Sequence, residues 1–310
     1  MLHEFSFQSV NGRDRIAAWV YVPAAAPKGI VQLVHGFGEH SRRYLHMIMH
    51  FVEEGYIVAA DDHVGHGKTA IINDAWGDWG SAGYDTMVLD ERNLMLLVSE
   101  MYPGLPYFFF GHSMGSVITR QFIARYGEEL AGATICGTCG ALSLAAAKAI
   151  AEADIAVGKG EESDPAVGAA LMGFMFSRCG DVKLGNEWIC ADPYVQIDHA
   201  KDPFDAFTKP TSNRSMLYFI EMMEEVTGKE WAEKVPVSLP IYSIGGDQDP
   251  YGMYGEGLMQ VSNWLIDTGH NVRTKLYNGY RHEIHNYKAI KNEVETGVID
   301  FMDCVLGLCR

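Results

Sequence analysis

The sequence has 310 residues, of which 48% are hydrophobic and 21% are charged, and its formal net charge is −16 at pH 7. Such a composition indicates a globular chain with a sizeable core, and the length fits one large domain with room for an insertion. The acidic balance argues against nucleic acid or an anionic membrane surface as a main partner.

The predicted elements begin with a hairpin and continue as strand–helix units. Two strand-like runs, 3–10 and 15–22, flank Asn11-Gly12, a dipeptide typical of tight hairpin turns. Apolar strands then alternate with helical runs: strands 30–34, 56–60, 107–110 and 133–136, and helices 42–54, 84–102 and 116–126. A strand that recurs after each helix predicts a mostly parallel, twisted sheet with helices on both faces.

This alternation stops between residues 141 and 212. An alanine-rich helical stretch, 144–156, and an apolar Met-Phe cluster, 171–176, occupy this part. The pattern then resumes with helix 217–225, strand 239–244, helix 256–267, strand 272–277 and helix 293–306. We therefore expect an α/β core formed by residues 1–140 and 213–310. An inserted helical cap, 141–212, would cover the carboxyl edge of the sheet, where α/β folds bind ligands.

A candidate nucleophile follows the apolar strand 107–110. The segment Gly111-His112-Ser113-Met114-Gly115 has the G-x-S-x-G spacing and leads directly into a helical run. A sharp strand-to-helix turn exposes the serine, and the small flanking residues let strand and helix approach each other. The backbone N–H groups of Met114 and Phe37 are the expected donors to a developing oxyanion.

A serine hydroxyl is a weak nucleophile and needs a base that is oriented by an acid. Asp247 and Asp249 follow the strand 239–244, and His282 follows the strand 272–277. Serine, then acid, then histidine is the chain order of α/β-hydrolases. The pattern predicts His282 as the base and leaves the two aspartates as alternatives for the acid.

Metal chemistry and a secreted, disulfide-linked fold are not expected. The pairs His63-x-x-His66 and His282-x-x-His285 lack a third ligand at metal-site spacing, so we predict no metal and no other cofactor. The cysteines lack framework spacing and are expected to be reduced thiols: Cys136, Cys139, Cys179, Cys190, Cys304 and Cys309. The start of the sequence is not a signal peptide, and no apolar run reaches about 18 residues. We expect a cytoplasmic protein without a stable membrane anchor, and a homodimer is left open.

The chain resembles the monoacylglycerol lipase and lysophospholipase group of serine hydrolases, which have the α/β-hydrolase fold. The resemblance covers about residues 27–140 and 236–306, and five segments carry it: His35-Gly36-Phe37-Gly38-Glu39-His40-Ser41-Arg42-Arg43-Tyr44, Asp62-His63-Val64-Gly65-His66-Gly67, Tyr102-Pro103-Gly104-Leu105-Pro106 leading into Gly111-His112-Ser113-Met114-Gly115, Gly246-Asp247-Gln248-Asp249, and Tyr280-Arg281-His282-Glu283-Ile284-His285. It implies that Asp249, and not Asp247, is the acid, and that Phe37 and Met114 are the oxyanion donors.

The resemblance also implies an alcohol pocket. Side chains at the positions of Glu39, Arg43 and His285 line the glycerol portion of the substrate in the monoacylglycerol lipases, and a structural salt bridge is the alternative interpretation here. The chain departs from the family in two ways. Ser116 replaces a glycine after the nucleophile turn, and Phe37 is bulky beside the oxyanion hole.

The implied function is hydrolysis of a carboxylic ester through an acyl-enzyme at Ser113, most simply of monoacylglycerols or similar single-chain lipid esters. Short-chain or aromatic esters are an alternative, and a catalytically inactive ligand-binding protein is another. The cap residues Met172, Met175 and Phe176 are expected either to form the apolar wall of an acyl pocket or to belong to the core.

Overall fold

An eight-stranded sheet in the order β1-β2-β4-β3-β5-β6-β7-β8 organises the computed structural model, which describes residues 1–309 except Ala206 and Thr208. Its strands are β1 Leu2–Gln8, β2 Arg15–Tyr21, β3 Gly29–Val34, β4 Tyr56–Asp62, β5 Tyr107–His112, β6 Gly132–Cys136, β7 Ile241–Gly246 and β8 Val272–Tyr277. Strand β2 is antiparallel to both of its neighbours, and all other pairings are parallel. The predicted α/β-hydrolase fold class is confirmed.

Helices connect the parallel strands. They are α1 Leu45–Glu53, α2 Gly67–Asn73, α3 Asp85–Met101, α4 Met114–Tyr126, α5 Ala145–Ala156, α6 Pro165–Met172, α7 Pro193–Lys201, α8 Asn213–Glu225, α9 Lys229–Ala232, α10 Glu256–Asp267 and α11 Lys291–Val305. Strands β3 to β7 are buried along their whole length, as expected of parallel strands covered on both faces. None of the helices in the described part of the chain combines the length and hydropathy needed to cross a bilayer.

The segment 141–212 leaves the sheet after β6. It contains helices α5 to α7 and a short 3₁₀ turn at Gly173–Phe176. Two of these helices begin with an aspartate cap followed by proline, Asp164 before α6 and Asp192 before α7, which is a favourable helix start. Helix α8 packs against α5 and also against α4. It therefore joins the inserted segment to the core beside the nucleophile helix.

The prediction of six reduced cysteines is wrong for Cys304 and Cys309, which form a disulfide. Helix α11 ends at Val305, and the chain reverses at Gly307, which has a φ of 73°. The reversal brings the two Cα atoms to 4.5 Å. The other four cysteines are free.

Candidate active site

Ser113 occupies the turn between β5 and α4 in a strained conformation. Its φ is 56° and its ψ is −122°, a region that side chains other than glycine rarely adopt. The Ser113 N–H donates to the carbonyl of Cys136 at 3.0 Å, and its own carbonyl accepts from the N–H of Ser116 at 2.8 Å. These contacts fix the turn from both sides, so the surrounding structure sustains the strain.

The glycines around Ser113 are required by close backbone contacts. A Cβ on Gly111 would lie 2.2 Å from Thr119 Oγ1, and a Cβ on Gly115 would lie 2.0 Å from the carbonyl oxygen of Val34. Helix α4 thus approaches strands β3 and β5 more closely than a side chain allows. This packing explains the G-x-S-x-G spacing physically.

Gly115→Ala is expected to lower the free energy of unfolding by about 1–3 kcal/mol, because a new methyl group would overlap a strand carbonyl. Thermal unfolding would measure this loss. Gly168→Ala in α6 is the matched control, since no atom lies within 4 Å of the position that its methyl group would take and helical alanine is favoured over glycine. Equal melting temperatures for the two variants would contradict the packing explanation.

Ser116, where the resemblance implied a glycine, is fully buried in the first turn of α4. Its hydroxyl donates to the carbonyl oxygen of Ser113 at 2.5 Å. The serine therefore adds a side-chain hydrogen bond to a carbonyl that already accepts the backbone N–H groups of Ser116 and Val117.

His282 and Asp249 form a hydrogen-bonded pair beside Ser113. His282 Nδ1 lies 2.9 Å from Asp249 Oδ2, and Asp249 Oδ1 accepts the N–H of Tyr251 at 2.9 Å. His282 Nε2 is buried and has no hydrogen-bond partner in the part of the chain that the structure describes. Ser113 and His282 line the same small cavity. The imidazole thus has one nitrogen oriented by a carboxylate and the other free for proton transfer.

The environment of His282 sets its protonation. Burial by itself lowers the pKa of His282, but the charge and hydrogen bond of Asp249 raise it more, so the pKa lies above its ordinary value of 6.5. The indole ring of Trp188 covers the imidazole, with ring centroids 4.9 Å apart. The site is therefore shielded from water on the side of the cap.

Asp247 is engaged elsewhere. Its Oδ1 accepts the N–H of Gly279 at 2.6 Å and a weaker contact from Gln248 at 3.2 Å. This carboxylate ties the loop after β7 to the turn after β8. Of the two aspartates that the sequence offered, the structure brings Asp249 to His282.

Of the two candidate oxyanion donors, one precedes Ser113 in the sequence and the other follows it directly. Phe37 belongs to the loop after β3, and Met114 is the first residue of α4, where helix N–H groups have no intrahelical acceptor. Neither amide donates to an acceptor within the described ranges of the chain. The Phe37 ring packs nearly parallel to Phe219, with centroids 5.6 Å apart. Its bulk is therefore accommodated against α8.

Glu39 and Arg43 belong to a buried ion network. Glu39 accepts from the N–H of Gly36 at 2.6 Å, from the hydroxyl of Tyr44 at 2.6 Å and from Arg43 at 3.0 Å. Arg43 also donates twice to Glu283, at 2.5 and 3.0 Å. Burial raises the pKa of Glu39, but His112 and Arg43 more than offset this, so the pKa lies well below its ordinary value. The Glu39 carboxylate stays charged.

His285 lies away from the cavity. Its ring stacks on Tyr44 with centroids 4.7 Å apart, and it is completely buried. Neither of its ring nitrogens has a partner among the described residues. Of the three residues predicted for the alcohol pocket, Glu39 lines the cavity beside Ser113, whereas Arg43 and His285 are not among its lining residues.

The cavity is small and is closed by residues that sequence reasoning missed. Its volume is about 10 Å³, which leaves room for roughly one water. Two of the missed lining residues, His112 and Glu283, belong to the core, and the others come from the second half of the cap: Trp188, Ile189, His199 and Phe207. The only feature of the sequence that could have pointed to these cap residues was a tryptophan, Trp188, within the inserted segment. Met172, Met175 and Phe176 are not among the lining residues, and Met175 is buried in the hydrophobic core.

Comparisons with known proteins show which family the chain matches and which proteins it is similar to. The chain matches the family described as serine aminopeptidase, S33 (Hydrolase_4) over residues 25–288. A carboxyl esterase from Bacillus coagulans, solved in complex with glycerol, is 55% identical, with a TM-score of 0.96 over 98% of this chain and 99% of that one. A lipase in an open form is 33% identical, with a TM-score of 0.91 over 99% of both chains. A monoacylglycerol lipase of Mycolicibacterium smegmatis is 26% identical over 96% of this chain and 98% of the relative.

Proposed function

Because the chain belongs to the Hydrolase_4 family and is a serine ester hydrolase, we propose that it hydrolyses monoacylglycerols or similar single-chain lipid esters through an acyl-enzyme at Ser113. The observation that carries this proposal is the convergence of a strained Ser113 and a His282–Asp249 pair on one cavity. A substrate requires that cap residues such as Trp188 move, because the cavity is far smaller than an acyl chain.

In the first half of the proposed reaction, Ser113 Oγ attacks the ester carbonyl carbon while its proton passes to His282 Nε2. The N–H groups of Phe37 and Met114 bind the resulting oxyanion. The bond from the carbonyl carbon to the alcohol oxygen then breaks, and His282 Nε2 returns its proton to the leaving alcohol. The acyl group stays on Ser113 as an ester.

In the second half, water attacks the acyl-enzyme. His282 Nε2 accepts a proton from the water, and the proton then passes to Ser113 Oγ as the carboxylic acid leaves. Asp249 holds the Nδ1–H tautomer throughout and stabilises the imidazolium that forms in each half-reaction.

The lining of the cavity supports a monoester with a polar alcohol. Its apolar part is formed by the side chains of Phe37, Trp188, Ile189 and Phe207. Its polar part, apart from Ser113 and His282, is formed by Glu39, His112, His199 and Glu283. Apolar walls gain about 0.8 kcal/mol for each methylene that leaves water, and the acidic groups accept hydrogen bonds from alcohol hydroxyls. We assign the acyl wall to the second half of the cap, since Met172 and Met175 lie elsewhere.

Two ester series test the substrate class. Glyceryl monoesters and p-nitrophenyl esters, each with acyl chains from C2 to C12, would be compared with an amino-acid p-nitroanilide, which reports aminopeptidase activity. We expect glyceryl monoesters to be hydrolysed with a kcat/KM that rises with chain length. Turnover of the anilide alone would refute an esterase, and indifference to the glyceryl group would refute a monoacylglycerol substrate.

One observation favours short or aromatic esters as a second candidate. Three aromatic side chains, Phe37, Trp188 and Phe207, surround a cavity that is nearly closed. Planar acyl groups stack on such walls and need less space than an alkyl chain. In the same assay, cinnamoyl-type esters would then exceed every alkyl ester in kcat/KM, and activity would fall beyond short chains.

Glu39→Gln tests the alcohol pocket. Glutamine keeps an oxygen that can accept the Gly36 N–H, but it loses the charge that would bind substrate hydroxyls. If Glu39, the member of the predicted alcohol pocket that lines the cavity, binds the headgroup, kcat/KM for a glyceryl monoester should fall about 10-fold more than for the p-nitrophenyl ester of the same acid. Equal losses on both substrates, with a lowered melting temperature, would favour the structural salt bridge.

A further inference from the structure

A buried charged cluster behind the active site has no place in the reaction above. Asp61 at the end of β4, His63 just after it and Glu91 on α3 are all at most 2% exposed. His63 Nδ1 lies 3.1 Å from a carboxylate oxygen of Asp61 and 3.1 Å from one of Glu91. Charged groups are costly to bury, so such a cluster calls for an explanation.

The protonation of His63 follows from its neighbours. His63 Nε2 lies 3.1 Å from the carbonyl oxygen of His35, and a carbonyl can only accept, so this nitrogen carries a hydrogen. Burial by itself lowers the pKa of His63, but Asp61 and Glu91 raise this pKa by more than burial lowers it. The pKa of His63 therefore lies well above 6.5. The charged form of His63 is therefore favoured. Its Nε2–H donates to the His35 carbonyl, whereas its Nδ1 lies within ion-pair distance of the two acidic side chains.

The tautomer of His35 follows in turn. Its Nε2 accepts the backbone N–H of His63 at 3.0 Å and therefore carries no hydrogen. The hydrogen of this neutral ring is on Nδ1, which donates to the carbonyl oxygen of Gly36 at 2.8 Å. The two imidazoles also stack, with centroids 3.8 Å apart. His63 thus holds His35 through its main chain, its side chain and its ring face.

The Gly36 carbonyl belongs to the same peptide unit as the Phe37 N–H. In a trans peptide the C=O and N–H point in opposite directions within one plane, and none of the described peptide bonds is cis. A hydrogen bond that fixes the Gly36 carbonyl therefore also fixes the direction of the Phe37 N–H. We infer that His35 and His63 are positioning residues: His35, held by the backbone N–H and the ring of His63, aims the Phe37 amide at the oxyanion.

The inference rests on the proposed function, because it takes Phe37 as an oxyanion donor. It also explains why the charged cluster is buried at this place. Asp61 and Glu91 lie beside His63 Nδ1 and raise the pKa of His63, and the hydrogen bond from Nε2 to the His35 carbonyl orients the ring. A resident metal ion is not needed to explain these side chains, since both ring nitrogens of His63 already face oxygen atoms of the protein.

Two amide substitutions at His35 separate its two contacts. Asparagine places an N–H where Nδ1 is and can still donate to the Gly36 carbonyl, whereas glutamine reaches the Nε2 position and keeps only the contact to His63. We expect His35→Asn to retain at least ~10-fold more kcat than His35→Gln, since a misdirected oxyanion donor costs up to ~10²-fold. KM should change little, because the amide acts on the transition state.

At His63 we expect the opposite ranking of the asparagine and glutamine variants. Here glutamine mimics Nε2 and keeps the donor to the His35 carbonyl, whereas asparagine mimics Nδ1 and keeps only the contact to the carboxylates. We expect His63→Gln to exceed His63→Asn in kcat by ~3- to 10-fold. A general loss of stability would rank Asn and Gln in the same order at both positions, so the reversal is specific to positioning.

The measurements are kcat, KM and the inhibition constant of a trifluoromethyl ketone, whose adduct with Ser113 carries an oxyanion. In His35→Gln the inhibition constant should rise in parallel with the loss in kcat, and melting temperatures would show that each variant folds. Equal kcat for Asn and Gln at His35, or the same ranking at both positions, would overturn the inference. Hydrolysis and labelling of Ser113 in the wild-type protein would then still support the proposed function.

Discussion

Ser113→Ala should abolish nearly all ester hydrolysis, with a loss in kcat on the order of 10⁴-fold or more, and leave the fold intact. Without Oγ no acyl-enzyme can form, and the remaining rate depends on water and the oxyanion donors alone. The backbone contacts that hold the turn, to Cys136 and Ser116, use main-chain atoms of residue 113 and survive the change. A kcat assay with the preferred ester, beside thermal unfolding, measures both effects.

Ser116→Ala is the matched control for the nucleophile. It removes a buried hydroxyl three residues away that hydrogen-bonds to the Ser113 carbonyl. We expect a destabilisation of about 1 kcal/mol and a much smaller loss of activity. Fluorophosphonate should label Ser113 in the wild type and in Ser116→Ala, but nothing in Ser113→Ala. An adduct mapped to another serine, or near-normal turnover by Ser113→Ala, would disprove the assignment of the nucleophile.

The core of the fold was predictable because its signals are local. The strand 107–110 is a run of aromatic residues that ends at Gly111, and the following motif prescribes both the turn and the helix. The hairpin was indicated by Asn11-Gly12 between two strand-like runs. Repeated strand–helix units then imply a parallel sheet, and the resemblance to a known family pointed to the same fold.

The wall of the active site could not be predicted, because it depends on where an irregular segment folds back. Trp188 and Phe207 lie in loops of the cap. The position of Trp188 against His282 depends on tertiary contacts such as the 2.7 Å hydrogen bond from the Glu283 N–H to the Ile189 carbonyl. The apolar cluster at 171–176 was a stronger pattern in the sequence. It partly joins the core, since composition cannot tell a pocket wall from a core.

The disulfide and the contacts of His63 could not be predicted for a similar reason. Cys304 and Cys309 meet because α11 ends and the chain reverses between them, which their spacing does not reveal. In the sequence His63 stood out as part of the pair His63-x-x-His66, for which no metal was predicted. The structure instead places it between two carboxylates and the carbonyl of His35, contacts that bring together separate strands and a helix.

Asp249→Asn should lower kcat by ~10³- to 10⁴-fold, because an amide in place of the carboxylate lets the imidazole adopt the wrong tautomer. Asp247→Asn is the matched control: the same chemical change two residues away, at a carboxylate that hydrogen-bonds to the turn at Gly279. A surface change of this kind costs roughly 0.5 kcal/mol, so we expect less than about 3-fold in kcat. The reverse ranking of the two variants would show that the acid is Asp247.

The pH dependence of the same variants tests the pair independently. The wild-type rate requires neutral His282, so kcat/KM should rise with pH through a pKa above 6.5, where Asp249 holds it. In Asp249→Asn the carboxylate no longer raises this pKa, whereas burial still lowers it. The acidic limb of the residual activity should therefore move to lower pH, while the limb of Asp247→Asn should stay at the wild-type position. An acidic limb that is unchanged in Asp249→Asn would mean that the group titrating in the rate is not the His282 that contacts this carboxylate.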